Sequence, residues 1–249
     1  MCQTVIIIVI WGIIINFSMI EVAAIYLDEN LQKTKFERFM SHISTEKCER
    51  IRKYRKYEDA LRTLVGDILV RYLLCKRLRI TNQKLTFGVN EHGKPYLTNY
   101  NNIEYNISHS GEWVICTIDD LPIGIDIEKI KPIDMKISKR FFSNEEVKSF
   151  MNKKIVDREA YFYDLWTLKE SYIKAVGKGL SIPLDSFTIR IRKGNITIYS
   201  AHEPINYYFK QYNIDMNYKM AVCSRKNQFP YEVDFIKLNK LYKRFSYYE

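Results

Sequence analysis

Two periods alternate along this chain. Short stretches with every second residue apolar read as half-buried strands, and longer ones with apolar residues three and four apart read as helices. The clearest strand is Ile123-Gly-Ile-Asp-Ile-Glu128, with Ile123, Ile125 and Ile127 on one face and Gly124, Asp126 and Glu128 on the other. Residues 21–27, 85–89, 105–108, 113–118, 187–192, 196–199, 207–212 and 219–223 read as further strands. Residues 32–43 read as a helix with Phe36, Phe39, Met40 and Ile43 on one face. The longest helical pattern, 58–79, carries a stripe of Leu61, Leu64, Val65, Ile68, Leu69, Tyr72 and Leu73. Thr63 and Gly66 interrupt it, which marks a place of close packing. Ser44 opens another helix, and Ser143-Asn-Glu-Glu146 reads as a capping box. A helix over 157–176 stops at Gly177-Lys-Gly179. His92-Gly-Lys-Pro95 is a turn from which Lys94 projects.

Each half therefore offers several strands and one long helix. That inventory predicts an α+β protein of two similar subdomains, 19–121 and 122–249, the second carrying a C-terminal extension. They join near 119–122 without a Gly/Ser-rich linker, so they should pack tightly. The segment before Met19 fits neither period. Residues 5–15 are apolar except for Gly12, too short for the roughly 20 residues of a membrane-spanning helix. No Lys or Arg precedes Lys33, so the basic region of a signal peptide is missing. A signal-like segment, a buried strand and an over-long gene model starting at Met19 are the three readings of 1–18, and the last is favoured.

Composition narrows the class. With 249 residues, 47% of them hydrophobic, the chain has ample length to bury a core. Five cysteines, odd in number and without a CxxC pair, argue against zinc and disulfides and for a reducing cytoplasm. A net charge of +10 calls for an anionic partner, and its even spread along the chain weakens nucleic acid as that partner.

The candidate chemistry lies where strand and helix patterns meet. Asp126 and Glu128 share a strand face, and Glu170 and Lys174, four apart, share a helix face. Three carboxylates and an ammonium can hold a hard cation against a phosphate, and oxygen-only ligands select Mg²⁺ or Mn²⁺. Taken singly, these residues also read as a solvated strand face, a surface ion pair and, for His109, a hydrogen-bonded turn. There is no Walker loop, GxGxxG, GxSxG or HExxH.

The order of five motifs goes further. Gly93-Lys-Pro95, Asn106-Ile-Ser-His-Ser110, Gly124-Ile-Asp-Ile-Glu128, Arg140-Phe-Phe-Ser143 and Trp166-Thr-Leu-Lys-Glu-Ser-Tyr-Ile-Lys174 resemble the signatures of 4′-phosphopantetheinyl transferases. The resemblance is to the larger, pseudo-dimeric Sfp type that serves bacterial peptide synthetases, and it covers about 20–235. It implies two α/β subdomains related by a pseudo-twofold axis, each a small, mostly antiparallel sheet packed with a long helix. It also implies transfer of phosphopantetheine from coenzyme A to a serine of an acidic peptidyl or acyl carrier protein, releasing adenosine 3′,5′-bisphosphate. Asp126, Glu128 and Glu170 match the metal ligands, for Mg²⁺ or Mn²⁺. Lys174, Ser108 and His109 match phosphate contacts; Lys47, Arg50, Thr63 and Lys94 match the nucleotide site, with Arg50 where lysine is common. Glu170 is the first choice for the base, directly or through water on the metal, and Glu146 the second. Residues 177–208 are where the family docks its carrier, with Leu180, Ile182 and Leu184 available for apolar contacts or for the core. The expected enzyme is a cytoplasmic monomer that binds neither nucleic acid nor membrane. A nucleic-acid-binding module and a metal-dependent nuclease are the alternatives. Neither calls for Lys94 and Ser108-His109 in this order.

Overall fold

The structure, a computed structural model, describes residues 7–10, 13–16, 19–28, 31–200 and 205–249. Strands β1 (Ile7–Ile10) and β2 (Ile13–Asn16) form an antiparallel hairpin. The rest of the 1–18 segment lies outside the described residues, and with it most of what was expected there. The first half then runs β3 (Glu21–Tyr26), α1 (Lys33–Met40), α2 (Thr45–Arg52), α3 (Tyr57–Leu78), β4 (Phe87–Val89), β5 (Pro95–Leu97), β6 (Glu104–Ser110) and β7 (Trp113–Asp119). The second runs β8 (Ile123–Lys129), α4 (Ser138–Phe141), α5 (Asn144–Met151), α6 (Ile155–Val176), β9 (Phe187–Arg192), β10 (Asn195–Ser200), β11 (Tyr208–Gln211) and β12 (Tyr218–Ser224). Strand β13 (Asp234–Phe235) and helix α7 (Leu238–Phe245) follow.

One sheet has the order β13-β3-β7-β6 and another β11-β12-β8, with β4-β5 and β9-β10 as separate hairpins. All pairs are antiparallel except β13 with β3. The strand alternation explains how the layers stack. In β7, Val114, Cys116 and Ile118 join Leu64, Val65 and Ile68 of α3 in one core. Ile115, on the other face of β7, meets Ile123, Ile125 and Ile127 of β8 and Met220 and Val222 of β12 in a second. Ala221 and Cys223, the alternate residues of β12, face Leu165, Leu168 and Ile173 of α6 in a third. The result is helix, sheet, sheet, helix. Strands covered on both sides read as nearly continuous apolar runs, and each buried isoleucine contributes about 1.5–3 kcal/mol.

Two glycines set close approaches. A Cβ on Gly124 would lie 2.0 Å from the Ser171 carbonyl oxygen and 2.4 Å from the Ala175 nitrogen. The space beside Asp126 is thus taken by the backbone of α6, which crosses β8 there. At Gly66 a Cβ would come within 3.1 Å of Ile107 Cγ2, so α3 lies close on β6.

The end of the chain departs from the expected division at 122. Strand β13 pairs with β3, and Ile236, Leu238, Leu241 and Phe245 enter the α3 core. These residues therefore complete the first half. A two-residue strand and an eight-residue helix carry too little pattern for the sequence to show this, although the Leu238, Leu241, Phe245 spacing fits one helix face.

Candidate active site

The two main sheets meet along β6 and β8, which belong to different sheets. Side chains of β6 supply what a strand partner would. Asn106 Oδ1 accepts the Ile125 N–H at 2.9 Å, Ser108 Oγ the Ile127 N–H at 3.4 Å, and Ser110 Oγ the Lys129 N–H at 3.1 Å. Every second residue of one strand thus meets every second residue of the other, and the two run side by side in the same direction. The serine hydroxyls turn their protons to the intervening carboxylates. Ser108 Oγ donates to Asp126 Oδ1 at 2.9 Å and Ser110 Oγ to Glu128 Oε2 at 2.8 Å.

Helix α6 completes the arrangement. Its crossing at Gly124 puts Lys174 Nζ 2.5 Å from Asp126 Oδ1 and 3.2 Å from Ser108 Oγ. One turn earlier, Glu170 faces the same cleft. Asp126 is only 3% exposed, and its Oδ2 has no hydrogen-bond partner among the described residues. Burial, then the charge of Asp126, pushes the carboxyls of both Glu128 and Glu170 above the ordinary glutamate range. A buried carboxylate with an orphaned oxygen, beside two others that resist ionising, fits an oxygen-liganded divalent cation. As they are placed, no three His, Cys, Asp or Glu side chains among the described residues converge closely enough to hold a metal ion. Lys174 holds Asp126 instead.

The cleft encloses about 630 Å³ between the halves. The second half contributes Asp126, Glu128, Trp166, Glu170 and Lys174. From the first come Lys47 and Arg50 of α2, Thr63 and Asp67 of α3, and Ser108 and His109 of β6, together with Gly93 and Pro95. Lys47 Nζ pairs with buried Asp67, which also receives Arg71 Nε at 2.8 Å. Burial works to raise the Asp67 pKa, but Arg71 and Lys47 outweigh it and hold it below the usual carboxylate range. Arg50 is exposed and makes no ion pair among the described residues. His109 is exposed at the cleft wall, yet the protein around it and the charge of Arg62 lower its imidazole pKa. Thr63 Oγ1 donates to Asp59 O at 2.9 Å within its own helix.

Comparison with known proteins covers both halves. A family described as "4'-phosphopantetheinyl transferase superfamily" matches residues 122–223, and one described as "4'-phosphopantetheinyl transferase, N-terminal" matches 30–119. The 4'-phosphopantetheinyl transferase Sfp of Bacillus subtilis is 44% identical over 224 residues, 89% of this chain and 99% of that protein. The chain belongs to the 4′-phosphopantetheinyl transferase superfamily. The transferase gsp of Aneurinibacillus migulanus is 38% identical over 83% of this chain and 86% of its own length. A relative from Rattus norvegicus, L-aminoadipate-semialdehyde dehydrogenase-phosphopantetheinyl transferase, is 30% identical over 74% of this chain and 67% of its own.

One expected site residue of this transferase lies elsewhere. Glu146 does not line the cleft. It is 1% exposed, accepts from Ser143 N at 2.8 Å and Ile189 N at 2.7 Å, and pairs with Lys169 at 2.9 Å. With both oxygens taken it has no route to a substrate proton, which corrects its place as the second choice of base. Lys94 stands beside the cleft, where it lines an adjoining pocket with Glu170 and Lys174. Its Nζ donates to Glu104 Oε2 at 3.0 Å and Ala175 O at 3.2 Å, tying the C-terminal end of α6 to the first half. In this arrangement Lys94 holds α6 beside the cleft. Leu184 is buried in the α6 core and Ile182 packs partly against it. The Leu180 side chain and residues 201–204 lie outside the described residues.

Sequence reasoning missed Asp67, Trp166 and Ser110. Asp67 lies four residues after Thr63 and four before Arg71, a spacing that puts it on the Thr63 face with a cation partner. Trp166 stacks on Phe162 at 5.8 Å and meets Phe141 edge-on at 5.2 Å, at the far wall of the cleft. Ser110 continues the alternation Asn106, Ser108, Ser110, which was the available signal.

Proposed function

We propose that this transferase moves the 4′-phosphopantetheine arm of coenzyme A to a serine of an acidic carrier protein, a peptidyl carrier of a nonribosomal peptide synthetase or an acyl carrier protein. The observation that supports it best is one cleft in which Asp126, Glu128, Glu170 and Lys174 face Lys47, Arg50, Ser108 and His109 across the seam between the halves. The carrier serine oxygen attacks the phosphorus that bears the pantetheine arm. The bond from that phosphorus to the bridging oxygen of the pyrophosphate breaks, and adenosine 3′,5′-bisphosphate leaves with the electron pair. Asp126, Glu128 and Glu170 would hold Mg²⁺ or Mn²⁺, which supplies neutralising charge at the pyrophosphate.

Each side chain has a task in this reaction. Glu170, which faces the cleft one turn before Lys174, receives the serine proton. Lys174, held over Asp126 and Ser108, stabilises charge developing on the departing phosphate. Ser108 and His109 contact the phosphates. Arg50, Lys47 and Thr63 receive the nucleotide end, where Asp67 fixes the Lys47 ammonium. A net charge of +10 favours encounter with an acidic carrier. Both walls of the cleft come from one chain, so a monomer suffices; the proposed reaction places it in the cytoplasm and calls for neither nucleic acid nor membrane. No helix among the described residues is long and apolar enough to cross a bilayer. Incubation with coenzyme A, Mg²⁺ and apo carrier proteins should add the mass of one phosphopantetheine to the carrier. No mass gain on any of a panel of apo peptidyl and acyl carriers would overturn the reading.

A further inference from the structure

We propose that Ser110 is a positioning residue that fixes Glu128 for the divalent cation, reaching from the first half of the chain to a ligand carried by the second. This rests on the reading that Asp126, Glu128 and Glu170 hold the cation.

The three links of the seam differ in one respect. Asn106 bonds only the backbone of β8, at Ile125 N. Ser108 bonds the backbone and Asp126, but it also lines the cleft and touches Lys174. Ser110 bonds the backbone and Glu128 while standing outside the cleft lining, so any effect it has on the site passes through Glu128. A serine hydroxyl has one proton and two lone pairs. Here the proton goes to Glu128 Oε2 and a lone pair takes Lys129 N–H, so the hydroxyl is anchored to β8 at the residue next to the one it orients. Among the described residues the Glu128 carboxylate has no other hydrogen-bond partner. A half-buried glutamate with free side-chain torsions would otherwise have to be ordered by the cation itself. A preset ligand binds more tightly because that ordering is already done.

The test titrates the full-length chain with Mn²⁺ alone, reading free ion by electron paramagnetic resonance, with thermal melting alongside. Ser110→Ala should bind Mn²⁺ roughly tenfold more weakly, the scale of losing a hydrogen bond to a charged group, and Ser110→Thr should restore wild-type binding. Asn106→Ala should lower the melting temperature, since it breaks the seam, and leave Mn²⁺ affinity unchanged. Wild-type Mn²⁺ affinity in Ser110→Ala overturns the proposal. So does an equal loss in Asn106→Ala, which would assign the effect to the seam rather than to the hydroxyl. Glu128→Ala with undiminished affinity removes the cation reading and the proposal together. If the Ser110 pattern holds and no carrier is loaded, the positioning role stands and the proposed reaction falls.

Discussion

Helix α6 carries two lysines five residues apart, each paired with a carboxylate, and the two pairs are built in opposite ways. Lys169 and Glu146 are sealed from solvent. Lys169 Nζ also donates to Leu184 O at 2.7 Å and Phe187 O at 2.8 Å, and Glu146 accepts two backbone N–H groups. Burial pushes the Lys169 pKa down and the Glu146 pKa up, and the partners in each case oppose it. Lys174 and Asp126 stand at the cleft, with the lysine side chain 27% exposed and one Asp126 oxygen unmatched. A closed pair has no capacity left and can only hold structure. An open pair, with a spare oxygen and two reluctant carboxylates beside it, has capacity for a substrate or a cation.

Changes at the open pair should give the largest effect on chemistry. Glu170→Ala is expected to abolish carrier loading. Lys174→Met should lower the loading rate by about 10²–10³-fold, the usual loss when one group stabilising transition-state charge is removed. Glu170→Ala should melt within a few degrees of wild type, roughly 1–2 kcal/mol on the scale for chains of this size. Near-normal loading by Glu170→Ala, measured as carrier mass gain, would sink its assignment.

Breaking the closed pair should do the reverse. Glu146→Ala leaves the Lys169 ammonium buried without its counter-charge, a loss of about 3–5 kcal/mol. A urea titration reads this as a lower midpoint with an unchanged slope. Loading per folded molecule, measured well below the melting point, should equal that of wild type. A stable but inactive Glu146→Ala would return Glu146 to the reaction.

The sequence showed one of these pairs in part and hid the other's meaning. Alternation in 123–128 told which face of β8 was apolar, because period two leaves a strand no choice. Ser143 and Glu146 were legible as a capping box, and both of its bonds form. The same reading already occupied one Glu146 oxygen, so the local pattern argued against Glu146 as a base. Lys169, which closes that pair, is 23 residues away and invisible to any local period. Gly124 shared the polar face of that strand, but only the fold shows that a helix backbone fills the space beside it. The direction of Lys94 depends on where α6 ends relative to the turn after β4, a contact across the halves. The alternation of Asn106, Ser108 and Ser110 was on the page, yet its partner strand is fixed by tertiary packing.

The smallest effect is the most discriminating. Glu128 and Glu170 titrate above the ordinary glutamate range, because of burial first and Asp126 second. The folded chain therefore holds these protons more tightly than the unfolded chain does. The stability they contribute is fully present below the unfolded glutamate pKa and is lost as pH rises through the raised folded values. At neutral pH the cluster is strained by its own charge, and Mg²⁺ should recover part of that loss. The melting temperature should rise with saturating Mg²⁺ at pH 7 by about 2–4 °C for each kcal/mol recovered. The increment should shrink as pH falls through the same window. Glu146 is raised by burial too, but both its oxygens are engaged, so it offers the ion no seat and should add nothing. A Glu128→Gln, Glu170→Gln double variant should therefore melt above wild type at pH 7 without Mg²⁺ and gain nothing when it is added. An equal Mg²⁺ increment in that variant would mean the ion acts elsewhere, and that the open pair differs from the closed one in exposure alone.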